Sequence, residues 1–219
     1  MLLPTCWICT RTRPSRFSIC FCANTGSAEA RQQRYRLIAR HPDIRLAYVS
    51  GRGLESVLPL LADPQLPQPD YIVCDVGATV VDGHTLQPIQ PLQNQLDALW
   101  PGEQAVTTAL APFTGLHRQA TPQQRRCSYV CDAGAISEAV HDAVAALECE
   151  LLYSGGRFLD VLSRGVNKGS SLARLVELIG IAPEQVLVAG DSLNDLSMFQ
   201  QGYKGVCVGG SESNLVKRT

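Results

Sequence analysis

Val186-Leu187-Val188-Ala189-Gly190-Asp191-Ser192-Leu193-Asn194-Asp195 is the stretch whose reading decides the fold. Four apolar residues predict a buried strand, Gly190 ends it, and two carboxylates and an amide follow within the next five residues. The surrounding text alternates. A helix is expected over residues 170–179, the strand over 186–189, a second helix over 192–200 and another strand over 205–208. Strands alternating with helices imply the α/β class and a doubly wound parallel sheet. In such a sheet ligands gather at the carboxyl ends of the strands, where Asp191, Asn194 and Asp195 fall. Acids clustered there offer hard oxygen ligands to a small cation such as Mg²⁺. Asp191 and Ser192 would also serve as a plain helix cap, with Asp195 on the outer face of that helix.

Two further stretches repeat the arrangement of strand end followed by polar residues. The apolar run over 44–49 stops at Ser50-Gly51-Arg52, where a hydroxyl and backbone N–H groups can cradle a phosphate or simply cap the next helix. Asn167-Lys168-Gly169-Ser170-Ser171 opens a helix, and its lysine can neutralise phosphate or lie solvated. Hydroxyl, lysine and carboxylates together describe a Mg²⁺-dependent phosphate site.

Between these stretches the pattern changes. A helix over 54–61, a strand over 71–76 and a hairpin near Asp82-Gly83 continue the first rhythm. From residue 84 the expected elements are a helix over 92–99, a short strand over 128–130, a helix over 136–147 and strands over 150–153 and 157–162. The chain therefore divides into an atypical N-terminal segment (1–42), a core (43–83 and 161–219) and an inserted α+β unit (84–160).

Composition sets the outer bounds. The 219 residues carry a formal net charge of -1, with 45% hydrophobic and 18% charged residues. This balance gives no basic field for nucleic acid or anionic lipid, and no apolar run reaches the ~18 residues of a membrane span. A soluble, cytoplasmic protein is expected, with neither nucleic acid nor membrane as partner. Residues 1–42 differ from the rest: seven arginines face one acid, Glu29, and the first aspartate of the chain is Asp43. Cys6, Cys9, Cys20 and Cys22 leave open a thiolate zinc site, a transit segment or unpaired thiols. Cys74, Cys127, Cys131, Cys149 and Cys207 sit in apolar runs and are expected as reduced, buried small hydrophobes.

The sequence resembles the haloacid dehalogenase superfamily of phosphatases, in its sucrose-phosphate phosphatase-like branch. The likeness is carried by Leu46-Ala47-Tyr48-Val49-Ser50-Gly51-Arg52, by Ser163-Arg164-Gly165-Val166-Asn167-Lys168-Gly169-Ser170-Ser171-Leu172 and by Gly190-Asp191-Ser192-Leu193-Asn194-Asp195. Cys74-Asp75-Val76-Gly77-Ala78 and Val81-Asp82-Gly83 resemble the hairpin that leads into the branch's cap. The resemblance implies a Rossmann-like core with a cap over 84–160 and a Mg²⁺-dependent hydrolase of a sugar phosphate such as sucrose 6-phosphate. It implies that Ser50, with Gly51 and Arg52, holds the phosphoryl group and that Lys168 neutralises its charge. Asp191, Asn194 and Asp195 would hold Mg²⁺. Fusion or association with a sugar-phosphate synthase is a further implication.

The family's first motif, Asp-x-Asp, supplies its nucleophile and its acid/base, and it has no counterpart before Asp43. A replacement strand over 16–22 ends in Ala23-Asn24-Thr25-Gly26, and an asparagine cannot form the acyl phosphate. No nucleophile is identified. The expectation is therefore an impaired phosphohydrolase or, alternatively, a non-catalytic sugar-phosphate-binding or regulatory remnant.

Overall fold

The computed structural model describes residues 44–64, 66–208 and 210–219, together with Arg36 and Arg40. The expected strand over 16–22 and the four N-terminal cysteines lie outside the described residues. The spacing of Tyr35, Leu37 and Ile38 predicts a helix over 28–41, of which only Arg36 and Arg40 are described; the Arg40 N–H donates to the Arg36 carbonyl at 3.2 Å.

Strand β1 (Ala47–Val49) is followed by helix α1 (Leu54–Leu61) and by β2 (Tyr71–Cys74), which pairs parallel with β1. Both strands are almost wholly buried, as expected where helices cover both faces of a parallel sheet. The reading of 71–76 as one strand is corrected at its end. Asp75 and Val76 have φ of 51° and 58°, outside the extended region, so β2 stops at Cys74 and a 3₁₀ turn over 75–77 reverses the chain. Strand β3 (Thr79–Asp82) then pairs antiparallel with β2.

After the insert, helix α5 (Lys168–Leu178), strand β8 (Leu187–Gly190), the short helix α6 (Leu196–Phe199), strand β9 (Lys204–Cys207) and helix α7 (Ser213–Val216) complete the core. β8 and β9 are parallel. Among the described residues the β1–β2–β3 and β8–β9 groups share no ladder. They do share one apolar cluster, in which Val49, Val73, Val188 and Ala189 meet Leu172, Leu175 and Val176 of α5.

Within the insert, strands β4 (His117–Arg118), β5 (Arg126–Val130), β6 (Cys149–Ser154) and β7 (Phe158–Ser163) form an antiparallel sheet in the order β4-β5-β7-β6. Helices α3 (Glu103–Leu110) and α4 (Glu138–Ala145) cover one face. Strand alternation sends Cys127, Tyr129, Leu159 and Val161 into that helical layer. Arg126, Ser128, Asp160 and Leu162 take the other face, and Leu162 joins the core cluster.

Two further details differ from the sequence reading. Helix α2 (Leu92–Leu99) packs on the three-stranded β1–β2–β3 sheet through Leu92 and Leu96, not within the insert's own core. Helix α3 is an additional element; its buried residues are only Val106 and Leu110 on an otherwise polar stretch, too weak a pattern to predict. Cys74, Cys127, Cys131 and Cys149 are buried free thiols, as read, while Cys207 is half-buried.

Candidate active site

Four chain segments meet at the carboxyl ends of β1, β2 and β8. The first is the loop after β1. Its Ser50 amide donates to the Val73 carbonyl at 2.7 Å, and the Ser50 hydroxyl accepts the Arg52 N–H at 3.1 Å. The second is the 75–77 turn, whose Asp75 and Val76 amides donate to the Arg52 and Ser50 carbonyls at 2.8 and 3.1 Å. That turn also lies against the start of α5: a Cβ built on Gly77 would stand 2.4 Å from the Asn167 carbonyl oxygen. With φ at 109° as well, only glycine fits there.

The third segment is the N-terminus of α5. Asn167 caps it by accepting the Ser170 N–H at 2.9 Å, while the Ser170 hydroxyl accepts the Asn167 N–H at 3.0 Å. The cap holds Lys168 in the first turn, and Gly169 allows α6 to approach so closely that a Cβ would sit 2.0 Å from the Ser197 carbonyl oxygen. Lys168 is only 5% exposed, so its ammonium must be satisfied internally. It donates to Asn194 Oδ1 at 2.6 Å and to Asp195 Oδ1 at 2.7 Å.

The fourth segment is the 191–195 loop. The expected single helix over 192–200 is divided into a 3₁₀ turn over 193–195 and α6, because Asp195 turns inward. Its second oxygen accepts the Asp191 and Ser192 amides at 3.0 and 3.2 Å, and its Cβ rests against Gly190. Asp195 therefore does not lie on an outer helix face; both its oxygens are used in shaping the loop and holding Lys168. Asn194 is similarly engaged, its Oδ1 accepting the Ser192 hydroxyl at 2.9 Å as well as the lysine.

Asp191 behaves differently. Its carboxyl is half-buried, and its pKa is pushed up to about 6, first by burial and then by the neighbouring Asp195 charge, against the pull of Lys168. A cation beside it would favour the charged form. The donors here are all oxygen, the chemistry Mg²⁺ selects. Mg²⁺ is commonly held by one or two carboxylates, with waters and phosphate oxygens completing its shell, so Asp191 with its neighbours fits it. Among the described residues no group of three or more His, Cys, Asp or Glu converges on one point.

The structure thus brings Gly51, Lys168, Asn194 and Asp195 together: a Cβ on Gly51 would lie 3.7 Å from Asn194 Nδ2. Ser50 adjoins them through the shared turn, and Asp191 through Asp195. Arg52 is exposed and joins through its backbone. One group of residues escaped the sequence reading. Asp75 is fully buried and bonded to Arg126, which also reaches Asp160. The available signals were charged residues inside apolar runs, as in Val73-Cys74-Asp75-Val76 and Leu159-Asp160-Val161.

Residues 20–219 match the family described as sucrose-6F-phosphate phosphohydrolase. Glucosylglycerol-phosphate synthase of Pseudomonas anguilliseptica is 55% identical over 195 residues, covering 89% of this chain but 26% of the synthase. Mannosylfructose-phosphate phosphatase of Agrobacterium fabrum is 29% identical over 178 residues, 78% of this chain and 71% of the phosphatase. The crystal structure of the sucrose-phosphatase of Synechocystis sp. PCC6803, solved with sucrose and phosphate, superposes with a TM-score of 0.74 at 24% identity, covering 92% of this chain and 84% of that one. The chain thus spans about a quarter of the synthase it matches.

Proposed function

Since this chain belongs to the sucrose-6F-phosphate phosphohydrolase family of the haloacid dehalogenase superfamily, we propose that it binds a sugar phosphate together with Mg²⁺ around Lys168. We infer further that its hydrolysis of that ester is impaired. The carrying observation is the buried Lys168 ammonium, held by Asn194 and Asp195 beside the Gly51 backbone. A buried cation at strand ends suits a phosphoryl group, whose oxygens would complete its neutralisation.

In this reading Ser50 donates its hydroxyl to a phosphoryl oxygen, with the Gly51 and Arg52 amides beside it. Lys168 meets the phosphoryl charge. Asp191 holds Mg²⁺, with Asn194 as its neighbour, and the ion supplies charge neutralisation when bound. Asp195 orients Lys168 and the Asp191 backbone and does not itself act as a ligand. Residues from about 100 to 163 act as the cap, covering the sugar and excluding water. Sucrose 6-phosphate follows from the family's description, and glucosylglycerol phosphate from the synthase's name; both are candidate substrates. Because the match covers 26% of that synthase, the chain is proposed to work fused to or associated with a sugar-phosphate synthase activity.

A second reading, a binding or regulatory module without turnover, is favoured by the absence of any aspartate before Asp43. Calorimetric titration of both esters with Mg²⁺, paired with phosphate-release assays on wild type and Asp191→Asn, tests the two. Binding with slow release that is lost in the variant supports the impaired enzyme. Binding with no release above the variant's supports the module. No binding of either ester overturns both.

A further inference from the structure

The 75–77 turn is a joint between three parts of the molecule. Its amides hold the Ser50 loop, its glycine lies on the start of α5 beside Lys168, and its first side chain reaches the cap. That side chain, Asp75, is 0% exposed and accepts Arg126 Nε at 2.9 Å and the Thr79 hydroxyl at 3.1 Å. Arg126, on cap strand β5, is 7% exposed and sends its Nη1 to Asp160 Oδ1 of β7 at 2.8 Å. Ser128 donates to the same Asp160 oxygen.

One guanidinium therefore spans two carboxylates, one on the core turn and one in the cap sheet. The remaining contacts across this boundary include apolar ones, such as Leu162 and Leu152 against the core cluster. Apolar contact is non-directional and tolerates sliding, whereas a planar fork bonded to two carboxylates fixes an angle. Desolvation offsets most of the attraction in a buried ion pair, so such a pair adds little net stability. Here the turn's three successive positive φ angles, 51°, 58° and 109°, leave it little freedom to adjust on its own.

We propose that Arg126 is the positioning residue that locks the cap to the 75–77 turn, and through that turn sets the Ser50 loop and Lys168. Removing Arg126 alone would strand two buried carboxylates. The informative variant is therefore the uncharged triple Asp75→Asn, Arg126→Met, Asp160→Asn. Asparagine tolerates the positive φ at 75. Arg126→Lys is its companion, since it keeps the charge but loses the fork.

Hydrogen–deuterium exchange on the full chain reads the lock without any ligand. The expected result, in both variants, is exchange faster by about tenfold over 48–53, 75–80 and 119–130, with protection unchanged in 140–144 and 172–176. Unchanged exchange over 48–53 and 75–80, or loss of protection throughout the cap, overturns the proposal.

A second arm rests on the proposed sugar-phosphate site. In the triple variant with Mg²⁺, affinity for sucrose 6-phosphate or glucosylglycerol phosphate should fall about tenfold, and affinity for inorganic phosphate should fall with it, because the Ser50 loop and Lys168 meet the phosphoryl group in each. Affinity for the esters and for phosphate within about twofold of wild type overturns the positioning role. If wild type binds none of them, the function reading fails, and the exchange pattern alone decides the inference.

Discussion

Two buried charge clusters sit within a few residues of one another, and they are built to different ends. In the cap joint, Asp75 accepts the Thr79 hydroxyl and the Arg126 guanidinium, which in turn reaches Asp160. Its charges are consumed internally. In the strand-end site, Lys168, Asn194 and Asp195 satisfy one another, yet Asp191 is left half-buried with its pKa lifted to about 6 by burial and by Asp195. The joint is buried throughout and holds parts in place, whereas the site cluster keeps one half-buried carboxylate whose pKa is perturbed, the feature expected of the proposed metal ligand.

The sharpest way to break this comparison is Lys168→Met. It leaves Asp195 buried without its partner and should cost about 3–5 kcal/mol in denaturant unfolding, as for other broken buried pairs. A cost below about 1 kcal/mol would mean that the site cluster is solvated and unlike the joint.

Asn167→Ala comes next. It removes the side-chain cap that accepts the Ser170 amide, with an expected loss of about 1 kcal/mol in unfolding free energy and weaker phosphate binding as the first turn of α5 frays. Loss of stability with unchanged binding would separate the helix start from the site.

Asp191→Asn should act in the opposite direction. The folded pKa lies above the ordinary 3.8, so the folded protein holds this proton more tightly than the unfolded chain. Metal-free wild type therefore loses stability as pH rises from about 4 to about 6, and the loss persists above that window. Because the group is half-exposed, solvent screening reduces the effect to on the order of 1 kcal/mol. The variant minus wild-type stability should grow across this window, and Mg²⁺ should stabilise only wild type. A flat difference would mean that Asp191 carries no raised pKa in the folded protein.

The smallest effect is expected at the exposed Arg164–Glu148 pair, 2.8 Å apart with side chains 53% and 76% exposed. Glu148→Gln should change unfolding free energy by less than about 0.5 kcal/mol. A larger change would show that surface pairs matter here as much as the two buried clusters.

Much of this was legible in the sequence. The helices over Leu54–Leu61 and Leu92–Leu99 and the strand ends bearing Ser50, Lys168 and Asp191 follow from local apolar runs and their polar stops. Gly77 and Gly169 stood in motifs, but their need for close backbone approach became visible only against Asn167 and Ser197. The helix Glu103–Leu110 was not legible, since only Val106 and Leu110 point inward.

By itself, then, the sequence determined the α/β alternation and which residues fall at strand ends, because these depend on periodicity and spacing over roughly ten residues. Only the tertiary structure decided that Asp195 serves Lys168, that Leu92 and Leu96 belong to the core, and that Arg126 joins cap to turn. Lys168 and Asp195 are 27 residues apart, and Asp75 and Arg126 are 51 apart. No local pattern constrains partners at such separations. The choice is made when burial removes water and each charge must take the nearest opposite group that the packed elements bring to it.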